Sequence, residues 1–256
     1  MIPYNKFAGV YDKMEADRHS INMVKYTLRI MRRFGIEAQD GLDLCCGTGS
    51  AIEAFCDQGL TMSGLDRSRQ MLKVAAEKLR SSKVQLYRKE LPRFEILLRT
   101  RTARKQLKRF DLVTCFYDSL NYLLTERELK AAFRSVYRHL RPGGWFVFDM
   151  NTPHGLRVIW PSQVFAGAED DLAWVFRAEY DNMQESVVLQ ATFFVKSGRL
   201  WERFDETHTE RGYSDRTIRS LLRDVGFQVK GYYRCFTFDR PKATNGRICA
   251  VVQRPL

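Results

Sequence analysis

Residues 41–50, Gly-Leu-Asp-Leu-Cys-Cys-Gly-Thr-Gly-Ser, form a short apolar run entering a glycine-rich turn, and the next apolar run, 60–65, ends at Asp66. This pair constrains the fold more than any other feature. Leu42, Leu44 and Cys45 suit a strand buried on both faces of a parallel sheet, and Gly47 and Gly49 permit positive φ and close approach of a ligand to the backbone. Ser50 stands where a helix over 50–58 would take its N-cap, which aims helix-terminal N–H groups at whatever fills the turn. Asp66 is placed like the acid that grips ribose hydroxyls in nucleotide-binding α/β folds. Together the residues predict a nucleoside pocket at the carboxyl edge of a parallel sheet.

Apolar runs alternate with helical patterns up to residue 150, a βαβ rhythm that implies a parallel sheet with right-handed crossovers. Strands are expected near 41–46, 60–65, 83–88, 110–116 and 144–150. Helices are expected over 19–34, 50–58, 67–80 and 126–140, the last ended by Pro142-Gly143-Gly144. Beyond 150 the rhythm changes to three extended segments, 172–181, 185–196 and 199–210, which should pair antiparallel as a small sheet. A helix over 214–226, with Ser214 as N-cap and Gly226 just past its end, precedes two strands near 227–238 and 246–253.

The glycine spacing matches neither G-x-G-x-x-G nor G-x-x-x-x-G-K-[ST], the dinucleotide and phosphate-loop patterns. Instead Asp43-x-x-x-Gly47-x-Gly49 resembles the first motif of the class I S-adenosylmethionine-dependent methyltransferases, and SGLDRSRQML at 63–72 resembles the second. Phe110-Asp111-Leu112-Val113 resembles their fourth strand, and Arg141-Pro142-Gly143-Gly144 the turn before their fifth. Tyr4, Phe7, Tyr11 and Asp12 resemble the N-terminal lid of the small-molecule branch. The resemblance implies an α/β fold: a Rossmann-like seven-stranded sheet with helices on both faces and a small antiparallel β insertion. It divides the chain into a lid and helix (1–35), a cofactor-binding core (36–152), a substrate-covering β insertion (153–213) and a C-terminal helix and hairpin completing the core (214–256).

The resemblance also implies S-adenosyl-L-methionine as cofactor and S-adenosyl-L-homocysteine as product. It places Asp43 near the cofactor's ammonium, directly or through water, and Gly47 and Gly49 where backbone comes close. Asp66 would accept from both ribose hydroxyls, since one carboxylate offers two oxygens to a vicinal diol; capping the helix at 67–80 is a compatible role. Arg67 and Met71 would flank the adenosine, with Cys45 and Phe116 completing the pocket, and Glu90 stands where the family reads the adenine amino group. Tyr11 would close over the sulfonium through cation–π contact, or pack with Phe7 against the sheet.

Methyl transfer from a sulfonium is an in-line displacement, so the protein aligns the nucleophile and, where needed, removes a proton. Candidate groups follow the fourth and fifth strands (Tyr117, Asp118, Asn121, Asn151) and lie on 206–213 (Glu206, His208, Arg211, Tyr213). Strand alternation puts Glu206, His208 and Glu210 on one face and Thr207 and Thr209 on the other. Such a face could hold an amine and accept its proton, or could be a solvated face with cross-strand pairs to Arg203 or Arg211. The expected catalytic residues are His208, Asp118 and Tyr11. Asp118 and Asn121 could equally stabilise their loop.

The net charge is +12, which favours anionic partners. Arg99, Arg101, Arg104, Lys105, Lys108 and Arg109 form a run without acids, readable as a solvated insertion or as an arm on RNA phosphates. The six cysteines lack C-x-x-C pairs and read as small buried hydrophobes, with no metal expected. No run of about 18 apolar residues occurs, and 1–6 show no secretory pattern, so a cytoplasmic, non-membrane protein is expected, as monomer or homodimer. The expected activity is methyl transfer to an amine or hydroxyl of a small molecule. The alternatives are a tRNA or rRNA methyltransferase using 99–109, which the missing Asn-Pro-Pro-Tyr motif does not affect although it weighs against DNA bases, and a non-catalytic cofactor-binding protein.

Overall fold

The computed structural model describes residues 6–98 and 106–256. Tyr4 of the N-terminal pattern and residues 99–105 of the basic run lie outside the described residues. The strands are β1 (Asp40–Leu44), β2 (Thr61–Asp66), β3 (Gln85–Arg88), β4 (Phe110–Cys115), β5 (Leu140–Asn151), β6 (Val164–Glu169), β7 (Leu172–Asp181), β8 (Ser186–Ser197), β9 (Leu200–Arg211), β10 (Gln228–Arg234) and β11 (Arg247–Gln253). The helices are α1 (Arg18–Phe34), α2 (Ser50–Cys56), α3 (Arg69–Lys78), α4 (Glu126–His139) and α5 (Asp215–Val225). None of them is long and apolar enough to cross a membrane.

Seven strands form one sheet in the order β10-β11-β5-β4-β1-β2-β3. β3, β2, β1, β4 and β5 run parallel, and β11 enters antiparallel against β5. Side chains alternate across the two faces as the pleat requires. Leu42, Leu44, Phe146, Phe148, Ile248 and Val252 pack with α4 and α5, while Leu112, Val147, Cys249 and Val251 pack with α1, α2 and α3. Chain order reverses between β1 and β4, and the crevice at that switch point, outside the carboxyl ends of the strands, is where ligands bind in open α/β sheets.

Local signals set the helix ends. Thr125 and Glu128 form a reciprocal capping box at the start of α4, Ser214 Oγ accepts from Thr217 N at α5, and Gly226 ends that helix at φ 107°, a conformation that glycine adopts without steric cost. Three expectations are corrected. The cap of α2 is Gly49 in the left-handed region, with Ser50 as the first helical residue. α4 ends at His139, so Arg141-Pro142-Gly143-Gly144 belongs to the start of β5. The small sheet has four strands, β6-β7-β8-β9, where three were expected. Its edge strand β6, Val-Phe-Ala-Gly-Ala-Glu, is almost wholly exposed and so lacks the apolar alternation that marks a half-buried strand.

The N-terminal segment joins the two sheets. Phe7 and Val10 are buried against Leu172, Ala191 and Phe193 of the small sheet, and Phe7 N donates to Glu206 Oε1 at 3.3 Å. Toward the large sheet, Thr48 Oγ1 donates to Asp12 (2.6 Å), Ser50 Oγ donates to Asp17 (2.6 Å), and Lys78 Nζ lies 2.7 Å from Asp12. The small sheet is thereby strapped over the carboxyl edge of the large one.

Candidate active site

A cavity of about 250 Å³ opens at the switch point, lined by Cys45, Gly47, Asp66, Met71, Phe116 and Tyr11, with Arg67 and Glu90 at its edge. The turn that forms its floor holds Cys45, Gly47 and Gly49 at φ 54°, 54° and 82°. A Cβ placed on Gly47 would meet nothing within 4 Å, so the backbone there faces open space. Asp66, 8% exposed, accepts one backbone bond on each oxygen, from Gly47 N at 2.9 Å and from Ser68 N at 2.8 Å. Each oxygen keeps a second lone pair for a ligand hydroxyl. Burial pushes the Asp66 carboxyl above its usual range against the two backbone bonds. A fixed bidentate acceptor beside Met71 and Phe116 fits a ribose and its base.

Two of the expected cofactor residues stand behind this wall. Asp43 lies under the turn, 3% exposed, where it accepts from Thr114 Oγ1 at 2.7 Å and burial pushes its carboxyl up to about 7. Asp43, expected to meet the ammonium directly or through water, is absent from the cavity lining and stands beneath the turn. Gly49 faces Leu79, 2.9 Å from where its Cβ would stand, so it serves close packing.

A second cavity, of about 400 Å³, lies between the two sheets. Phe7, Tyr11, Trp160, Phe165, Trp174 and Phe176 form its aromatic walls, and Asp118, His208, Glu210 and Arg247 its polar side. Tyr11, Tyr117 and Tyr122 line both cavities, so the two meet at a tyrosine throat. Tyr117 and Asp118, just past β4, have φ of 56° and 53°. Such strained backbone in non-glycine residues clusters where a site demands it.

The expected catalytic residues Tyr11, Asp118 and His208 all reach the second cavity. His208, 3% exposed, pairs through Nδ1 with Tyr122 Oη at 2.8 Å, and its Nε2 is 3.6 Å from Glu206 Oε2. Burial, reinforced by Arg67, lowers its pKa to about 4, so the ring is neutral at pH 7. A folded-state pKa below the unfolded value contributes stability above the unfolded pKa of 6.5, lost as pH falls toward 4. The linkage is worth about 3 kcal/mol. The stability advantage of wild type over His208→Gln is expected to shrink by about that amount between pH 7 and pH 4 in urea melts. The difference isolates His208 from Asp43, whose raised pKa acts in the opposite direction.

Of the expected substrate residues, only Tyr117 lines the second cavity. Asn121 is a strut, donating to Asn151 O (3.0 Å) and Arg211 O (2.8 Å) and accepting from Asn151 N (3.0 Å). Asn151 stands behind the wall and donates to Asp118 and Glu210, while Glu206 holds Phe7 N and faces His208. Arg211 is bonded to Leu124 O and Glu185, and Tyr213 donates to Leu123 O. Both line a separate cavity with Glu126, Pro153 and His154, because Arg211 ends β9 and Tyr213 lies just past it, where the chain turns toward α5. Conversely, Arg247 carried no sequence signal. It is the first residue of β11 and bridges Asp118 and Asp149 only because that strand pairs with β5. Glu210 was legible as a partner of His208 on one strand face.

A family profile described as a methyltransferase domain matches residues 42–144. The Bacillus subtilis (strain 168) protein YqeM, which carries a provisional methyltransferase name, is 29% identical over 98% of this chain and 97% of its own. The crystal structure of an S-adenosylmethionine-dependent methyltransferase from Clostridium acetobutylicum ATCC 824 superposes with a TM-score of 0.84 at 29% identity, covering 99% of both chains. The chain is a class I S-adenosylmethionine-dependent methyltransferase. A Streptomyces venezuelae dTDP-3-amino-3,4,6-trideoxy-alpha-D-glucopyranose N,N-dimethyltransferase is 34% identical over a shorter stretch, 44% of this chain and 43% of its own.

In this methyltransferase the lining of the first cavity fits S-adenosylmethionine: Asp66 would hold the ribose, Met71 and Phe116 would flank the base, and the Gly47 backbone would face the amino-acid end. When bound, the cofactor supplies an electrophilic methyl group. The described end of the basic run serves the fold, with Lys108 Nζ bonded to Ser63 Oγ (3.1 Å) and Gln85 Oε1 (3.2 Å). It enters the amino end of β4, six strand residues away from the site, or about 20 Å.

Proposed function

We propose that the enzyme methylates an amine of a small molecule bound in the 400 Å³ cavity. The observation that carries this reading is the meeting of that aromatic-walled cavity with the cofactor cavity at Tyr11, Tyr117 and Tyr122. A nucleophile in the throat would face the cofactor cavity, and the aromatic rings exclude the water that would compete with it. The neutral His208–Tyr122 pair offers polar contact without a positive charge that would repel an amine. An amine needs only its lone pair free to attack, whereas a hydroxyl must also lose its proton as the bond forms, and His208, with a pKa of about 4, is a poor base for that. The amino-sugar N,N-dimethyltransferase relative supports the same acceptor chemistry over the part of the chain it matches.

The test is S-adenosylhomocysteine formation from S-adenosylmethionine, with small amines and with alcohols of the same skeleton. Turnover with amines, lost in Tyr11→Ala and Tyr117→Ala while cofactor binding persists, is the expected result. Turnover confined to alcohols, or to RNA, would sink the reading.

A further inference from the structure

Asp118 and Glu210 come from the β4 loop and from β9, and both reach the acceptor cavity. They are 5% and 3% exposed. One side-chain amide serves both: Asn151 Nδ2 donates to Asp118 Oδ2 at 2.5 Å and to Glu210 Oε2 at 3.1 Å. Arg247 donates to the same Asp118 oxygen at 2.8 Å. Among the described residues, nothing donates to Asp118 Oδ1 or Glu210 Oε1, so each carboxyl has an oxygen without a protein donor. The cation nearby is already shared, since Arg247 also bonds Asp149, which in turn receives Tyr117 N and contacts His19.

We infer that Glu210, working with Asp118, is the proton acceptor for the substrate amine, so that the two carboxyls bind the acceptor's ammonium and free its lone pair. The inference rests on the amine reading above. Two buried carboxyls linked through one amide cannot both ionise cheaply. The groups facing Glu210 are Asp118, Asp149, Arg247, the neutral His208 and the Tyr117 and Tyr122 hydroxyls. Burial first, and Asp118 second, push its carboxyl well above the usual range, so before substrate arrives Glu210 holds a proton.

An entering ammonium replaces that proton, which leaves to solvent. The ammonium then passes one N–H proton to the Glu210 carboxylate, and the freed lone pair forms the new N–C bond as the C–S pair departs to sulfur. The methylated nitrogen emerges as a cation and keeps its remaining protons until release. Binding a protonated amine therefore expels about one proton, and binding a neutral alcohol expels none.

The test is calorimetric titration in the presence of S-adenosylhomocysteine, in phosphate and in Tris at pH 7.5, whose different ionisation enthalpies count the protons released. The probes are 2-phenylethylamine, tryptamine and glucosamine, each against its alcohol: 2-phenylethanol, tryptophol and glucose. The expected result is that at least one amine binds wild type with release of about one proton. In Glu210→Gln, release is expected to fall to near zero and affinity to drop about tenfold, the loss of one charge-assisted bond. Retained S-adenosylhomocysteine binding and an unchanged melting temperature show that Glu210→Gln is folded. Amine binding without proton release, or with release unchanged in Glu210→Gln, overturns the role of Glu210 and leaves the amine reading standing. Binding by alcohols alone overturns both. If no amine binds while S-adenosylhomocysteine does, the ammonium site is wrong and the methyltransferase assignment is untouched.

Discussion

Asp66→Ala is expected to weaken S-adenosylmethionine and S-adenosylhomocysteine binding by about two to four orders of magnitude, with the apo protein still folded. Two charge-assisted bonds to a diol are each worth about 1.5–3 kcal/mol, and both vanish with the carboxylate. The same side chain holds Gly47 N and Ser68 N, so the substitution also releases the turn on which the ligand lies. Calorimetric titration of both ligands into wild type and variant measures the effect. An apo melting temperature close to wild type shows that the loss belongs to the site. Affinity within fivefold of wild type would mean that the ribose is held elsewhere, and the cofactor geometry derived from this cavity would fall.

Arg247→Leu is expected to cost about 3–5 kcal/mol of stability, since removing one partner of a buried ion pair leaves its counter-charge uncompensated. Here two carboxylates are stranded. Asp149 is fully buried and Asp118 nearly so, and Arg247 bonds both. In wild type, burial pushes the Asp149 carboxyl up but Arg247 and His19 outweigh it and hold it below the usual carboxylate range. A folded pKa below the unfolded one contributes stability above the unfolded value, lost on acidification. Without Arg247 the sign reverses: the buried carboxyl binds its proton more tightly in the folded state. The deficit of the variant is therefore expected to be larger at pH 8 than at pH 5, read from urea melts at both. A deficit below about 1 kcal/mol at pH 8 would show that water reaches this network and that Arg247 does not organise the acceptor cavity.

The two experiments probe opposite sides of the tyrosine throat. One removes the proposed grip on the nucleoside, and the other removes the cation that lets acidic groups line the proposed acceptor side. Arg247 also stands over the Tyr117 ring, 5.6 Å from its centroid, with His19 stacked on that ring at 4.7 Å. Its loss should therefore loosen the throat as well as the floor of the cavity.

The sequence by itself determined most of the expected lining of the first cavity. A glycine turn between a buried strand and a helix, and an acid at the end of the next strand, are local patterns whose meaning depends only on the chain around them. Cys45, Gly47, Asp66, Arg67, Met71, Glu90 and Phe116 all line the first cavity because each sits at or just past the end of a strand, and parallel strands deliver their carboxyl ends to one edge. The βαβ rhythm carried the sheet for the same reason. Only the tertiary structure decided the second cavity. Whether Glu210, Asn151, Asp118 and Arg247 meet depends on how β9 folds back over β4 and β5 and on β11 pairing with β5, neither of which is encoded within reach of those residues. Alternation on β9 showed that Glu206, His208 and Glu210 share a face, but not that the face would be buried. That burial makes His208 a poor base and leaves Glu210 holding a proton, because desolvation acts on a group only after remote strands have closed around it.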